Sequence, residues 1–207
     1  MEKKRYVVAI TGTTGVEIGF RLLSVLLPKA EVHTIVSDTA IEIARHEVAL
    51  HSGDGLKKAI IHLINKRFNT IFDETNLYVY DNSNLWAPIS SGSFITDGMF
   101  IVPCSMKTLA AVSCGYAEGL IERAADVTIK EGRVLVLCPR ETPFSAIHLE
   151  NMLKLARLGV RIVPPTISTY HGREDLNGMI DFIVGKLLDQ IGLQNDLYKR
   201  WKSKTLK

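Results

Sequence analysis

Short apolar runs alternate along the chain with longer stretches in which apolar residues recur every three or four positions. The runs are rich in β-branched residues, as in strands buried on both faces, and the stretches have the period of amphipathic helices. The predicted strands cover residues 6–10, 32–36, 77–80, 99–102, 134–137 and 160–163. The predicted helices cover residues 16–27, 39–46, 56–65, 106–112, 120–131, 145–158 and 175–193.

The order of these elements, strand followed by helix without hairpin signals, predicts an α/β fold in which a parallel sheet lies between layers of helices. A chain of 207 residues is long enough for one large domain or two small ones. We favour a single domain over residues 1–207, with a C-terminal tail over residues 195–207.

Composition and charge narrow the class of protein. Hydrophobic residues make up 46% and charged residues 23% of the chain, as in soluble globular proteins. The formal net charge of +3 is too small to indicate nucleic-acid binding, and the basic excess lies largely at the two ends. No apolar run approaches the roughly 18 residues of a membrane-spanning helix, and no signal-peptide pattern precedes the first strand. We therefore expect a cytoplasmic protein without membrane contact.

The cysteines and carboxylates give no sign of a metal site. Cys104, Cys114 and Cys138 have spacings that match neither a zinc site nor a disulfide framework. We expect them to be small buried side chains in a reducing compartment. Carboxylate-rich metal motifs are absent too, so a monophosphate ligand fits better than a metal-bound diphosphate.

Hydroxyl side chains follow several predicted strands at their carboxyl ends. They are Thr11, Thr13, Thr14, Ser37, Ser105 and Thr108. The first three belong to TGTTG, a glycine loop between a strand and a helix, although its spacing is not that of the dinucleotide fingerprint. Glycine loops and helix N-termini bind anions, so these groups together would suit a phosphorylated planar cofactor such as FMN. A plain tight turn and simple serine caps are the alternatives.

A second set of side chains is cationic. Arg123 and Lys130 are seven residues apart on a predicted helix, and Arg140 and Glu141 follow a buried strand within the stiff segment PRETP. Lys186 lies on the last helix. Such cations with an available acid suit transfer of a group away from phosphate, because they stabilise charge as the bond breaks. A solvated helix face is the alternative for the first two.

Several longer motifs extend these patterns. They are TGTTG at Thr11, SSGSF at Ser90, PCSMKTLA at Pro103, ERAADVTIKE at Glu122, VLCPRETPFSAIHLENM at Val136, and a proline pair followed by Tyr170 and His171. With these motifs the sequence closely resembles the UbiX-like flavin prenyltransferases, a group of FMN-binding flavoproteins formerly described as aromatic acid decarboxylases. The resemblance covers residues 6–201.

The resemblance implies a Rossmann-like three-layer fold that assembles into a dodecamer, with active sites at subunit junctions. It implies that a dimethylallyl group passes from dimethylallyl monophosphate to N5 and C6 of reduced FMN, with release of phosphate and without a metal. The prenylated FMN would then be handed to a UbiD-type decarboxylase.

Roles carry over from the family position by position. FMN binding falls on Gly12, Thr13, Thr14, Ser37, Ser105, Met106, Lys107, Thr108 and Arg140. Contacts with the prenyl phosphate fall on Ser90, Arg123, Lys130, Tyr170 and Lys186, of which Arg123 and Lys130 also count as catalytic. The resemblance makes Glu141 the acid and base of the reaction and places the carboxylate of Glu47 near the dimethylallyl site.

Three positions depart from the family pattern. Thr14 stands where serine is usual, which keeps the hydroxyl and adds a methyl group. Lys186 stands where arginine is common, which keeps the charge but loses the bidentate fork. Trp86 comes one place later than the aromatic residue that shields the allyl cation in some members.

Two other functions compete with prenyl transfer. One is an FMN-binding accessory subunit of a phenolic or aromatic acid decarboxylase, which needs the hydroxyl groups but not Lys130, Glu141, Tyr170 and Lys186. The other is an FMN-dependent cysteine decarboxylase. Those enzymes carry a catalytic histidine in an early helix and a PxMN-type motif, whereas this chain has Pro103, Cys104, Ser105 and Met106.

Overall fold

A computed structural model of the chain describes residues 3–51, 53, 55–72, 74–170, 172–173 and 175–201. The strands are β1 (Lys4–Ile10), β2 (Ala30–Val36), β3 (Leu77–Tyr80), β4 (Gly98–Cys104), β5 (Leu135–Pro139) and β6 (Arg161–Ile162). The helices are α1 (Val16–Leu26), α2 (Asp38–Glu47), α3 (Leu56–Phe68), α4 (Met106–Cys114), α5 (Leu120–Lys130), α6 (Ala146–Arg157) and α7 (Leu176–Asp189). A short 3-10 helix, Pro88–Ser90, lies between β3 and β4.

The six strands form one sheet in the order β3-β2-β1-β4-β5-β6, and every neighbouring pair is parallel. The predicted α/β fold with a parallel sheet is therefore confirmed. The chain order reverses between β1 and β4, which pair directly from Tyr6 opposite Gly98 to Ala9 opposite Ile101. In doubly wound sheets, ligands bind beyond the carboxyl ends of the strands at this switch point.

Both faces of the sheet are covered by helices. Alternate side chains of β1 enter two separate apolar clusters, because successive residues of a strand point to opposite sides. Val8 and Ile10 pack in a cluster with residues of α1, α2, α3 and α7. Val7 and Ala9 pack in a cluster with residues of α4, α5 and α6. This double burial explains why the strands are almost continuously apolar.

The predicted elements are all present, with shifts at some ends. β4 continues through Pro103 to Cys104, where the sequence suggested an earlier stop. The β4–β5 register shifts between Ile101 and Cys104, and a proline is tolerated at such an irregularity because no ladder hydrogen bond needs its missing N–H. α7 ends at Asp189 rather than at residue 193.

The expectation of three buried cysteines is wrong for one of them. Cys104 and Cys138 are buried in neighbouring strands, and burial raises the pKa of the Cys138 thiol to about 12. Cys114, the last residue of α4, is exposed. None of the helices in the described ranges has the length and apolar character needed to cross a bilayer.

Candidate functional site: a crevice at the switch point

One threonine joins the two strands at the switch point. The hydroxyl of Thr11 donates a hydrogen bond to the carbonyl oxygen of Pro103 at 2.8 Å and accepts one from the N–H of Ser105 at 2.8 Å. Its residue is only 1% exposed. The ends of β1 and β4 are thus fixed to each other. The hydroxyl that the sequence offered as a ligand donor at this position is already used inside the protein.

The loop after Thr11 brings backbone N–H groups to the crevice. A Cβ atom on Gly12 would lie 2.6 Å from the Cβ of Thr39, so only glycine permits this approach of the loop to α2. Gly15 has a φ of 89°, in the left-handed region that favours glycine, and it begins α1 without a side-chain cap. The N-terminus of α1 is therefore open to a carboxylate or phosphate from elsewhere.

Glu47 supplies such a carboxylate. It is the last residue of α2, and its Oε2 accepts a hydrogen bond from the N–H of Gly15 at 3.0 Å, while its Oε1 accepts one from the hydroxyl of Thr14. A side chain distant by 32 residues thus lies directly on the glycine loop. Threonine in place of serine at position 14 keeps this hydroxyl contact.

Two more helices begin at the same edge of the sheet. Ser37 caps α2 by accepting a hydrogen bond from the N–H of Ala40 at 3.3 Å. Ser105 caps α4 in the same way through the N–H of Thr108 at 3.3 Å, and donates to the Thr108 hydroxyl at 3.1 Å. Both serines are therefore N-caps, which was the alternative to a ligand-binding role. Each helix nevertheless leaves further N–H groups of its first turn for an anion, and Met106 and Lys107 belong to that turn in α4.

The segment after β5 closes the crevice from the other side. The N–H of Arg140 donates to the carbonyl oxygen of Cys104 at 3.1 Å, and the hydroxyl of Thr13 donates to the carbonyl oxygen of Arg140 at 3.3 Å. The Arg140 side chain is exposed, and Glu141 is half-buried with its carboxylate accepting from the N–H of Thr142 at 3.0 Å. The glycine loop, α4 and this segment therefore share one crevice.

The donors of this crevice fit a phosphate monoester such as that of FMN. Three helix N-termini lie at one edge of the sheet, with backbone N–H groups, hydroxyls and one exposed guanidinium. Helix N-termini carry partial positive charge, and a close-packed glycine leaves room for the anion to approach. Over the ranges described, the structure shows no group of three or more His, Cys, Asp or Glu side chains placed as metal ligands.

Arg123 and Lys130 lie in a second group, on α5. The Nε of Arg123 donates to the carbonyl oxygen of Ser90 at 3.0 Å, so the serine-rich segment packs against this helix. A Cβ on Gly92 would lie 2.9 Å from the Nζ of Lys130. Each cation already has a carboxylate neighbour, Asp126 at 2.8 Å for Arg123 and Glu131 for Lys130. Arg123 thus lies beside Ser90, and Lys130 lies beside Gly92 in the same serine-rich segment.

Tyr170 and Lys186 lie in a third group, around α7. The ring of Tyr170 meets Phe182 and Trp201 edge to face, with centroid distances of 5.5 and 5.9 Å. Lys186 pairs with Asp189 at 3.8 Å and lines a cavity of about 280 Å³ beside β6. His171 lies outside the described residues. A single chain therefore presents three groups of candidate residues rather than one site.

Comparison with known proteins identifies the family. Residues 1–188 match the family model described as Flavoprotein. Flavin prenyltransferase UbiX from Methanocaldococcus jannaschii is 40% identical to this chain over 197 residues, which are 95% of this chain and 98% of that protein. This chain belongs to the UbiX-like flavoproteins.

Solved structures of UbiX-like flavoproteins have the same fold. A dodecameric FMN-dependent UbiX-like decarboxylase from Escherichia coli O157:H7 matches with a TM-score of 0.82 at 41% identity, over 95% of this chain and 98% of that chain. AnUbiX (PadA1), in complex with FMN and dimethylallyl pyrophosphate, matches with a TM-score of 0.84 at 39% identity, over 97% and 98%. The Rossmann-like fold that the resemblance implied is confirmed.

Sequence reasoning missed two features of these groups. It offered Thr11 as a ligand donor, although its hydroxyl is consumed between β1 and β4. It also passed over Asp189, which contacts Lys186. The spacing of three residues on one helix is the signal that could have found this pair.

Proposed function

We propose that this chain is a flavin prenyltransferase. It joins a dimethylallyl group from dimethylallyl monophosphate to N5 and C6 of reduced FMN, and its product is prenylated FMN. The observation that carries the proposal is the crevice at the switch point of a UbiX-like flavoprotein, where the N-termini of α2 and α4 offer first-turn N–H groups and the Arg140 side chain is exposed, while Glu47 occupies the N–H of Gly15 before α1. AnUbiX, a protein 39% identical to this chain, binds FMN together with dimethylallyl pyrophosphate.

In this proposal the crevice holds FMN. Backbone N–H groups of the glycine loop and of α4 bind the flavin phosphate, supported by the hydroxyl of Ser37. The hydroxyls of Thr13 and Ser105, which donate to Arg140 and Thr108 in the single chain, join them by exchanging those acceptors for the phosphate. Arg140 directly precedes Glu141, and its backbone carbonyl accepts a hydrogen bond from Thr13, so we assign its exposed side chain to contacts with the flavin and the prenyl phosphate. Reduced FMN supplies the nucleophilic atoms, and the protein supplies position and charge.

The cations of the other two groups hold the prenyl phosphate. Arg123, Lys130 and Lys186 stabilise negative charge as the bond between the allyl carbon and the phosphate oxygen breaks. Each of them is paired with a carboxylate in the single chain, at 2.8 Å for Arg123 and 3.8 Å for Lys186. These pairs keep the cations in place, and the substrate phosphate must compete for them.

Two carboxylates take the proton-transfer roles. Glu141 follows Arg140 directly and handles the phosphate proton and the proton lost on ring closure. Glu47 lies on the glycine loop through Thr14 and Gly15, and we place it beside the dimethylallyl group. A positioned carboxylate contributes roughly 100-fold to 10,000-fold to such reactions.

The complete site forms between subunits of an oligomer. Two observations support this proposal: the candidate residues fall into three groups in a single chain, and large apolar side chains are exposed, among them Trp86 at 97% and Ile167 at 85%. The E. coli UbiX-like relative is a dodecamer, and we propose the same assembly here. Mixing Arg123→Ala with Lys186→Ala subunits should restore activity if one site takes residues from different chains. Failure of the mixed oligomer to exceed either variant would contradict shared sites.

The decisive experiment is anaerobic incubation of the protein with reduced FMN and dimethylallyl monophosphate, followed by mass spectrometry of the flavin. We expect a flavin heavier by one five-carbon unit and release of inorganic phosphate. Tight FMN binding without any adduct would favour the accessory-subunit function instead. Dimethylallyl diphosphate in a parallel reaction tests the expected preference for the monophosphate.

Other expectations from the sequence stay predictions. They are the single domain over residues 1–207, the cytoplasmic location, the absence of a metal requirement and the UbiD-type decarboxylase as recipient of the product. Supplying the reaction product to an apo UbiD-type decarboxylase tests the last of these, because only a recipient that uses prenylated FMN gains activity.

A further inference from the structure

One carboxylate, that of Asp189, gathers the C-terminal segment, residues 193–201, onto α7. It accepts hydrogen bonds from the Tyr198 hydroxyl at 2.6 Å, from Arg200 Nη2 at 2.8 Å and from the side-chain amide of Asn195 at 3.2 Å. Its side chain is only 19% exposed. Burial alone would raise the pKa of Asp189, but the hydrogen bonds from Arg200 and Tyr198 hold it below its ordinary value. The carboxylate is therefore charged and saturated with donors.

The backbone of α7 is shaped to receive this segment. A Cβ on Gly185 would lie 2.5 Å from the ring of Tyr198, so a glycine is needed for the ring to pack against the helix. Asn195 also donates to the carbonyl oxygen of Gly185 at 3.3 Å. The Tyr198 ring in turn meets Phe182 edge to face at 5.1 Å. The segment is thus docked by packing as well as by charge.

This docking reaches the two residues of the third group. Phe182 and Trp201 both contact the ring of Tyr170, at 5.5 and 5.9 Å, so the docked segment borders that ring. Asp189 lies 3.8 Å from the ammonium group of Lys186, one helical turn away on the same face. Asp189 therefore contacts Lys186 directly and also anchors the segment whose Trp201 contacts Tyr170.

We infer that Asp189 is a positioning residue for the prenyl-phosphate end of the site: it fixes the C-terminal segment against Tyr170 and orients the ammonium group of Lys186. The inference rests on the proposed function, which gives those two residues their substrate contacts. Asp189 itself does not touch the reacting atoms. Its loss should weaken binding of the prenyl donor and leave the FMN crevice, on the other elements, intact.

The test compares Asp189→Asn with wild type and with Asp196→Asn, a matched change at an exposed residue of the same segment. Hydrogen–deuterium exchange of residues 193–201 reports docking, and steady-state kinetics with dimethylallyl monophosphate report the site. In Asp189→Asn we expect faster exchange and a KM for the donor raised about 10-fold, within the range that misplaced positioning groups cause. FMN affinity should not change. Asp189→Glu should recover part of the KM, and Asp196→Asn should match wild type.

Two results would overturn the inference. Unchanged exchange in Asp189→Asn would mean that the segment is held by other contacts, and faster exchange with unchanged KM and kcat would mean that docking does not position the site.

Tyr198→Phe removes one hydrogen bond with little loss of packing and should shift both readouts in the same direction by less. If wild type makes no prenylated flavin, the prenyltransferase proposal fails, and calorimetric binding of dimethylallyl monophosphate to the FMN-loaded variants then decides the role of Asp189.

Discussion

The crevice at the switch point and the group around α7 hold their candidate residues by different means. In the crevice, a hydroxyl that is 1% exposed and several backbone hydrogen bonds fix the ends of β1, β4 and β5 to one another. Around α7, Tyr170 is 42% exposed, and its partner Trp201 belongs to a segment held by side-chain bonds to one carboxylate. The crevice is therefore held by hydrogen bonds between strand ends, whereas the α7 group depends on side-chain contacts of the C-terminal segment.

This difference suits two ligands with different demands. A flavin phosphate needs N–H groups in fixed directions, which strand ends and helix starts provide without moving. A prenyl phosphate is consumed in the reaction, and the cations assigned to it lie on helix surfaces with carboxylate neighbours that can exchange partners. We therefore expect substitutions of the groups that tie the strand ends together to affect folding and FMN binding together, and substitutions around α7 to affect the prenyl donor alone.

The largest effect should come from Glu141→Gln. A glutamine side chain can still accept the hydrogen bond that Glu141 accepts from the N–H of Thr142, so the segment should keep its shape while the proton acceptor is lost. We expect prenyl transfer to slow by roughly 100-fold or more, with FMN affinity unchanged. Single-turnover formation of the flavin adduct measures this, and Glu150→Gln on the exposed face of α6 is the control. A loss of less than about 10-fold would remove Glu141 from proton transfer.

Thr11→Val tests how firmly the crevice depends on one buried hydroxyl. The change keeps the shape of the side chain but leaves the N–H of Ser105 without its acceptor, which costs about 1–3 kcal/mol of unfolding free energy. FMN affinity should fall with it, because Ser105 begins α4. Thr34→Val is the matched control, since the Thr34 hydroxyl is also buried in a strand but has no hydrogen-bond partner among the residues that the structure describes. Equal effects of the two substitutions would contradict the role of Thr11 as the tie between β1 and β4.

The crevice was predictable from the sequence to a large extent, because its parts are local. The loop TGTTG joins strand β1 directly to helix α1, and Ser37 and Ser105 each immediately precede a helix. Short-range sequence patterns therefore suffice to find these parts. The resemblance then assigned their roles. What the pattern could not give was the hydrogen bond from Gly15 to Glu47, because it joins residues 32 positions apart through a helix end.

The α7 group was much less predictable. Lys186 was among the cations grouped from the sequence, and the resemblance gave Lys186 and Tyr170 their roles. No periodic pattern placed Tyr198 or Arg200 on Asp189, since the segment that carries them has no regular structure. The separation of Lys186 from the crevice was also beyond local patterns, because it depends on how the last helix packs on the sheet. Contacts of this kind follow from tertiary packing and not from propensity.

A smaller effect on the unfolding free energy should come from His33, a buried residue of β2, as the pH falls. Burial lowers the pKa of His33, against the opposing effect of Glu31, whose carboxylate accepts its hydrogen bond at 2.7 Å. Above pH 6.5 the imidazole is mostly neutral in both the folded and the unfolded chain, so its titration adds little pH dependence to the unfolding free energy. Below 6.5 the unfolded chain binds a proton that the folded chain resists, so the unfolding free energy should fall.

Glu31 extends this loss to lower pH. Burial alone would raise the pKa of Glu31, but hydrogen bonds from Arg5 and His33 hold it below its ordinary value of 4.5, so its stabilising contribution disappears as the pH drops through that lowered pKa. Thermal unfolding at fixed protein concentration between about pH 2 and pH 8 measures both steps. His33→Phe should flatten the upper step, and His62→Phe, at an exposed position on α3, should not. An upper step that persists in His33→Phe would assign the titration to another group.

The smallest effect should come from Lys186→Arg, which restores the residue common in the family. Arginine adds a bidentate fork for phosphate but can also form a closer pair with Asp189, now 3.8 Å from the lysine ammonium group. Because the side chain is 41% exposed, the change in ion-pair energy should stay below about 1 kcal/mol, or about fivefold in the KM for dimethylallyl monophosphate. Lys154→Arg on α6 is the control for a general effect of arginine. A change in FMN affinity with Lys186→Arg would show that the α7 group and the crevice are coupled, and that treating them as separately held parts of the site is wrong.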